Sequence, residues 1–306
     1  MLSIVIVSWN TRDLLRRCLA SIRANHGDLE VEVVVVDNGS HDGTPAMIRE
    51  EFPDVVLVEP GENLGFSRGN NVGLARVRGQ WLMLLNPDTE VVDDALPTLV
   101  RFLEEQPHVG VVGPQIFYGD GSRQPTRHRF PTVFTLFLAS TPLHQLARPL
   151  LRSYYMENAP ANQPQPVDWL SGAALLLRRE VYEAVGGLDE QFFMYFEETD
   201  WQRRVKAAGW AIWYLPVATI RHYEDASSGQ VVGLRHVRFN ANKLRYTAKW
   251  HGAGWAALLR VWLLVLFGVE WLKEGAKWLL GHKRPLRAQR LREYGLLLRQ
   301  LPANQP

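Results

Sequence analysis

One cysteine, Cys18, stands in a chain of 306 residues, which excludes an intramolecular disulfide and a cysteine-built zinc site. It lies in LLRRCLASI at helical spacing and reads as a buried helix residue, not a nucleophile. An excess of either charge is also lacking. Lys and Arg number 34 and Asp and Glu 32, a formal net charge of +2, so nothing calls for nucleic acid as a partner. No basic-then-apolar leader precedes LSIVIVSWN, which points to a cytosolic protein unless a later segment meets the membrane. No G-x-G-x-x-G turn follows the first strand-like run. The chain leaves it through SWNTRD, which argues against a dinucleotide-binding oxidoreductase.

What is present is a globular composition, 46% hydrophobic and 22% charged, long enough for one large α/β domain or two modest ones. Residues 1–113 alternate strand-like and helix-like segments. SIVIVSW and VEVVVVD are apolar on both faces, as buried parallel strands are. TRDLLRRCLASIRAN has helical spacing between them, and HDGTPAMIREEF starts a second helix with Thr44 as N-cap and Pro45 in its first turn. VVLVE, GFSRGNNVGLARVRG, QWLMLLN, VDDALPTLVRFLEEQP and VGVVG continue the alternation. The pattern implies a parallel sheet wrapped by helices on both faces. Ligands bind such sheets beyond the carboxyl ends of the strands, where Asn10, Asp37 and Asp88 lie. Past residue 114 the regularity fades. VFTLFLASTPLHQLARPLLRSYY is apolar but broken by Pro142 and Pro149, and suits a lid, a cradle for an apolar ligand or a packed insertion. ENAPANQPQP is a connector.

Several residues carry chemistry. Asp37 ends a strand before a Gly turn and suits the imide N–H of a pyrimidine, or it simply shapes the turn. Asn63, Gly65, Arg68, Asn70 and Gly73 offer turns, amides and one forked cation for a diphosphate or base; Gly69 and Gly73 also suit close helix packing. In FFMYFEETDWQRR, Glu197, Glu198 and Asp200 stand beside aromatics, a setting for a general base. The alternatives are a helix N-terminus favoured by its acids and ion pairs from Asp200 to Arg203 or Arg204. His222 ends a strand in ATIRHYE. With Asp88 it makes a mixed O/N set suited to Mg²⁺ or Mn²⁺ bound mainly by phosphate and water. In WLMLLNPDTEVV, Asn86 stands two residues before Asp88, where a second aspartate is frequent.

The C-terminal third holds AGWAALLRVWLLVLFGV, interrupted by Arg260 and short of the ~20 apolar residues that a spanning helix needs. Glu270, Lys273, Glu274 and Lys277 then fall on one helix face, opposite Trp271, Leu272, Trp278 and Leu279, before a basic tail. This suits an interfacial amphipathic helix over residues 253–290, or a helical hairpin packed on the protein itself or on a second copy.

In order, VIVSWNTRDLLRRCLASI, VVVVDNGSHDGT, ENLGFSRGNN, LLNPDTEV, DWLSGAALLLRREV, GGLDEQFFMYFEETDWQRRV and RHYEDASSG resemble the family 2 glycosyltransferases, nearest to their rhamnosyltransferase-like bacterial subset. The resemblance implies a GT-A fold, a nucleotide-sugar donor, a divalent metal and inversion at the anomeric carbon. Residues 1–113 would be the nucleotide-sugar half, 114–230 the acceptor and catalytic half, and 231–306 a membrane-associated helical region. By position, Asp37 would recognise the pyrimidine, with Ser8, Asn10, Asn63, Gly65, Arg68, Asn70 and Asn86 on the donor side. Asp88 and His222 would hold the metal. Glu198 would be the base, with Glu197 and Asp200 as alternatives, and Trp169, Ser171 and Gly172 would border the sugar and acceptor pocket. N-P-D-T-E also occurs in the rhamnosyl-like branch, so Asn86 does not mark an inactive protein. The expected donor is dTDP-rhamnose, with UDP-sugars next. The expected acceptor is a lipid-linked or oligosaccharide hydroxyl in bacterial envelope polysaccharide synthesis. Rival readings are a silent nucleotide-sugar-binding scaffold, possible because Asn86 replaces an acid, and a nucleotide-sugar pyrophosphorylase, for which SWNTRD lacks the Gly-rich basic loop. Assembly into a homo-oligomer is compatible with the sequence.

Overall fold

The computed structural model describes residues 1–139, 141–223 and 232–301, so the end of the RHYEDASSG motif lies outside the described residues. The doubly apolar runs form β1 (Leu2–Ser8) and β2 (Val31–Asp37). Between them α1 (Arg12–Ala24) buries Leu15, Cys18, Leu19 and Ile22, the one-sided stripe of an amphipathic helix. The alternation continues through α2 (Thr44–Glu51), β3 (Val56–Val58), α3 (Gly65–Leu74), β4 (Trp81–Leu85), β5 (Thr89–Val92), α4 (Ala95–Glu105) and β6 (Val109–Tyr118). Next come β7 (Arg127–His128), α5 (Val133–Leu138), α6 (His144–Leu151), β8 (Gln165–Pro166), β9 (Trp169–Leu170) and β10 (Ala174–Arg178). After α7 (Arg179–Val185), α8 (Glu197–Ala207) and β11 (Ala211–His222), the chain ends in α9 (Val232–His251), α10 (Ala253–Leu279) and α11 (Arg284–Gln300). The N-cap of α2 is Gly43, at φ +85°, not Thr44. The Thr44 hydroxyl instead donates to Asp42.

The main sheet has the order β3-β2-β1-β4-β10-β6-β11-β5, with β8 beside β11, and β7 pairs β9 separately. β1 to β4 are parallel, as are β6 and β11. β10 is antiparallel to both β4 and β6, and β5 is antiparallel to β11. The sheet is therefore mostly parallel, not wholly so. Only residues 86–88 separate β4 from β5, too few for the dozen-residue crossover that a parallel neighbour requires. Period-2 side chains divide the sheet between two layers. Leu2, Ile4 and Ile6 pack with Leu15, Ile48 and Leu99 of α1, α2 and α4. Val5, Leu82 and Leu84 pack with Leu74, Val181 and Trp201 of α3, α7 and α8. Each fully buried aliphatic contributes about 1.5–3 kcal/mol, which fixes the strand ends that carry the site.

The chain forms two compact units. The first comprises Met1–Phe130, Ser153–Phe193 and Glu197–Ser227, and contains every strand. The second comprises Pro131–Arg152, Met194–Phe196 and Ser228–Pro306. The apolar segment 131–152 thus clusters with the C-terminal helices, where hydrogen bonds from Trp262 to Phe137 O and from Lys243 to Ala139 O tie it. α10 is long and apolar enough to cross a membrane by length and composition, because residues on both sides of Arg260 continue one helix. Glu274, expected on a solvated face, is buried and accepts hydrogen bonds from Arg287 at 2.7 Å and Lys277 at 3.3 Å. Burial acts to raise its pKa, but these partners outweigh it and hold the carboxyl below its ordinary value.

Candidate active site

The strand order reverses at β1, with β2 and β3 on one side and β4 on the other. The crevice beyond the carboxyl ends at such a point is where doubly wound sheets take ligands. Asp37 is the last residue of β2, in register with Ser8 of β1. Its Oδ2 accepts the Ser40 amide at 2.9 Å, while Oδ1 is buried without a hydrogen-bond partner. A buried carboxylate oxygen left unpaired costs about 1–3 kcal/mol or more, so this atom is suited to a ligand donor. Ser8 is held by Thr11 at 2.9 Å. Asn10, at φ +52°, donates its backbone N–H to the Ser40 hydroxyl and accepts the His41 amide on its side-chain Oδ1. These contacts brace the turn around Asp37.

The ENLGFSRGNN stretch joins the same turn. Asn63 accepts the Gly65 amide at 3.0 Å, and Asn38 Nδ2 donates to Gly65 O at 3.0 Å. Gly65 has φ +79°, and a Cβ there would sit 2.6 Å from Phe193 O. Phe66 N–H donates to that same carbonyl and the Ser67 hydroxyl to Phe192 O. Asn38, whose Oδ1 is also buried and unpaired, is a site residue that the sequence reading missed. Arg68 is exposed, and Asn70 spends its amide on Phe66 O within α3. Gly73 serves packing, since a Cβ there would meet Val5 Cγ1 at 2.3 Å.

The pairing of His222 with Thr89 brings Asp88 to the end of β11. His222 Nε2 lies 3.1 Å from Asp88 Oδ1 and 3.4 Å from Asn86 Nδ2. Gln124 Oε1 accepts a hydrogen bond from Nδ1–H at 3.0 Å, which turns Nε2 toward the Asp88 carboxylate, with room for a cation between them. Asn86 Oδ1 is buried and unpaired beside them. One carboxylate, one imidazole and an unused amide oxygen fit Mg²⁺ or Mn²⁺ completed by phosphate and water. Among the described residues no cluster of three or more His, Cys, Asp and Glu could hold a metal unaided. Cys18 lies buried beneath this turn, 3.7 Å from Asn86 O, and burial pushes its thiol up to about 12.

Asn86 N–H donates to Ala173 O at 3.0 Å, which sets the Asp88 turn beside the β9–β10 turn that holds Ser171 and Gly172, just after Trp169 of β9. Glu198 packs directly on that turn: a Cβ at Gly172 would come 3.3 Å from Glu198 Cβ. The position is enforced by Gln202, fully buried, which accepts the Leu170 amide and donates to Leu170 O, both at 2.8 Å, and also donates to Glu198 O. Glu197, one residue away, is buried. Asp200 pairs with Arg204 at 3.2 Å, and Arg204 in turn donates to Val185 O and Gly187 O. Trp169 donates to Arg129 O and stacks on His128 at 4.1 Å and 14°. Burial pushes His128 down to about 4. The Ser171 amide bonds Thr126 O.

The mostly parallel sheet with helices on both faces is the fold of the GT-A glycosyltransferases. Residues 3–186 match Glycosyl transferase family 2, and the chain belongs to that family. It is similar to the N-acetylglucosaminyl-diphospho-decaprenol L-rhamnosyltransferase of Mycobacterium tuberculosis, 30% identical over 86% of this chain and 89% of that one. Rhamnosyltransferase WbbL of Escherichia coli is 24% identical over 73% of this chain and 83% of its own. Among solved structures, the Pyrobaculum calidifontis mannosyltransferase PcManGT, in complex with GDP-Man and Mn²⁺, matches with a TM-score of 0.56 at 17% identity, covering 99% of this chain and 86% of that one. The match to GalNAc-T7 with UDP, GalNAc and Mn²⁺ has a TM-score of 0.57 at 16% identity, covering 74% and 44%. The two solved structures support the fold.

Proposed function

We propose that this glycosyltransferase moves rhamnose from dTDP-rhamnose, with UDP-sugars as next choice, to a hydroxyl of a lipid-linked or oligosaccharide acceptor, inverting the anomeric carbon. The observation that carries the reading is Glu198, held by Gln202 against Gly172 in the β9–β10 turn that also bonds Asn86. Asp37 and Asn38 offer unpaired acceptors to a pyrimidine imide or a ribose hydroxyl. Glu198 takes the proton of the acceptor hydroxyl. That oxygen forms its bond to the anomeric carbon from the face opposite the diphosphate, as the bond to the departing nucleoside diphosphate breaks. General-base help of this kind supplies about 10²–10⁴-fold. Asp200 acts as the anchor of Arg204, and Glu197 is buried at the start of α8. A Mg²⁺ or Mn²⁺ ion held by Asp88 and His222 supplies charge neutralisation at the diphosphate when bound. Because Asn86 adds no charge, such a site binds its metal weakly until the diphosphate arrives.

The acceptor class is supported by the mycobacterial relative, named for rhamnosyl transfer to a diphospho-decaprenol-linked sugar. A lipid-linked acceptor places the protein at the cytoplasmic face of the membrane, in peripheral contact through residues 253–290, in the synthesis of envelope polysaccharide. The test is nucleoside diphosphate release from dTDP- and UDP-sugars, with and without EDTA, on N-acetylglucosaminyl-diphospho-polyprenol. Glu198→Gln should abolish turnover and keep donor binding. Purified protein that with metal neither binds nor hydrolyses any of these donors would falsify the reading. Donor binding without turnover in the native chain would instead favour a silent nucleotide-sugar binder, the reading that Asn86 motivates.

A further inference from the structure

The two compact units differ in charge. The second carries 16 Lys and Arg against 3 Asp and Glu, and the first 18 against 29. The +2 of the whole chain conceals this segregation. Of the three acids in the second unit, Glu270 pairs with Lys273 at 2.8 Å and Glu274 with Arg287 at 2.7 Å, so little negative charge is left uncompensated. Lys283, Arg284, Arg290, Arg292 and Arg299 are all exposed.

The same unit exposes apolar surface on one helix. α10 buries Ala256, Leu259, Leu263 and Phe267. On another face Trp255, Leu258, Val261, Val265, Val269 and Leu272 are each more than 40% exposed. They recur every three or four positions, a ridge of about 25 Å at the helical rise. A contiguous ridge of this kind marks an interaction surface. Exposed Lys273 flanks it, and Trp255 is half-exposed on it, as tryptophans are at a headgroup boundary. α10 has the length and hydropathy of a spanning helix, but Arg260 interrupts its apolar stretch, and Glu270, Lys273, Glu274 and Lys277 charge its last third. Ala256, Leu259, Leu263, Phe267 and Glu274 on the face opposite the ridge are buried in the protein, an arrangement that a helix in the interface plane keeps and a span gives up.

We infer that the second unit docks on an anionic lipid surface, with α10 lying in the plane of the interface, its ridge among the acyl chains and the cations around α11 among the headgroups. This rests on the membrane setting read above and adds the lipid charge and the orientation of the helix. The test uses the full chain, without donor or acceptor, sedimented with vesicles of phosphatidylcholine alone or with about one-third phosphatidylglycerol. Binding should be at least about tenfold tighter to the anionic vesicles and should weaken with salt. Val265→Asp with Leu272→Asp should reduce binding to both vesicle types. Lys283→Glu with Arg292→Glu and Arg299→Glu should remove the preference for the anionic ones. All five positions are exposed, and circular dichroism checks that each variant is folded. Equal affinity for the two vesicles, or native binding by the Asp pair, overturns the inference. So does a dimer in ultracentrifugation that the Asp pair dissolves, because a second copy then covers the ridge. Retention in membranes through an alkaline carbonate wash overturns the in-plane orientation. Nucleoside diphosphate release, measured separately, reports on the catalytic reading alone.

Discussion

Gln202 offers the sharpest test of how this site is held together. Its amide closes two hydrogen bonds with Leu170, at 2.8 Å each, from a fully buried position, and a third with Glu198 O at 3.1 Å. Gln202→Leu leaves the Leu170 N–H and C=O buried and unpaired, at about 1–3 kcal/mol each. The added apolar burial returns about 1 kcal/mol. A net loss of about 1–5 kcal/mol lowers Tm by roughly 2–8 °C in a chain of this size. The catalytic effect is separate. Glu198 sits on Gly172 because Gln202 pins α8 to β9, and misplacement of a reacting group by about 1 Å costs about 10²-fold. The expectation is a kcat down by about that factor with the donor KM nearly unchanged. Gln202→Glu keeps the acceptor toward Leu170 N–H but sets a buried carboxylate against Leu170 O and Glu198 O, and should cost at least as much as Gln202→Leu in both measurements. Scanning calorimetry and steady-state kinetics at a temperature where every variant is folded provide the assay. A Gln202→Leu protein with native Tm and native kcat refutes the clamp. A native kcat with a lowered Tm refutes its role in positioning Glu198.

Asp37→Asn should raise the KM for the nucleotide donor about 10–100-fold, the worth of a hydrogen bond to a charged group, with Tm little changed. Gln124→Leu frees His222 from its Nδ1 partner, and Mn²⁺ titration of activity should show metal affinity lower by about 10–100-fold. His128 is neutral in the folded protein, at about 4, against an ordinary 6.5. The unfolded chain therefore binds the extra proton between those values, and stability falls as pH drops from 6.5 toward 4, by about 3 kcal/mol in all. His128→Phe should flatten that part of the pH–Tm curve, and an unchanged slope counts against a buried neutral ring.

The parallel half of the fold was legible because β1, β2 and β4 are apolar on both faces, a pattern that only a covered strand tolerates. β10 was not legible as an antiparallel insertion, because ALLLR carries no mark of direction and its partners are set by distant β6. The carboxylates and His222 of the site stood out as titratable groups at strand ends. The amides that position them did not. Gln124, Gln202 and Asn38 look like ordinary polar residues until tertiary structure shows which backbone groups they complete. Glu274 was misplaced for a related reason: helical spacing assigned it a face, but only the packing of α11 decided that this face was covered.

The Asp88 turn has a consequence for how the protein is made. β5 finds its sheet partner in β11, with Thr89 opposite His222, and Asn71 clasps Leu188 through two hydrogen bonds. Each closure joins positions more than a hundred residues apart, so the loop entropy is spent before either contact returns anything. On the ribosome, residues 1–113 emerge with β5 unmated and an apolar sheet edge open, a state prone to aggregation until the last strand arrives. The Asp88 turn and the final strand are completed in a single late step. Nascent chains halted before residue 222 should therefore fall to chaperones or proteases, and none should show partial activity.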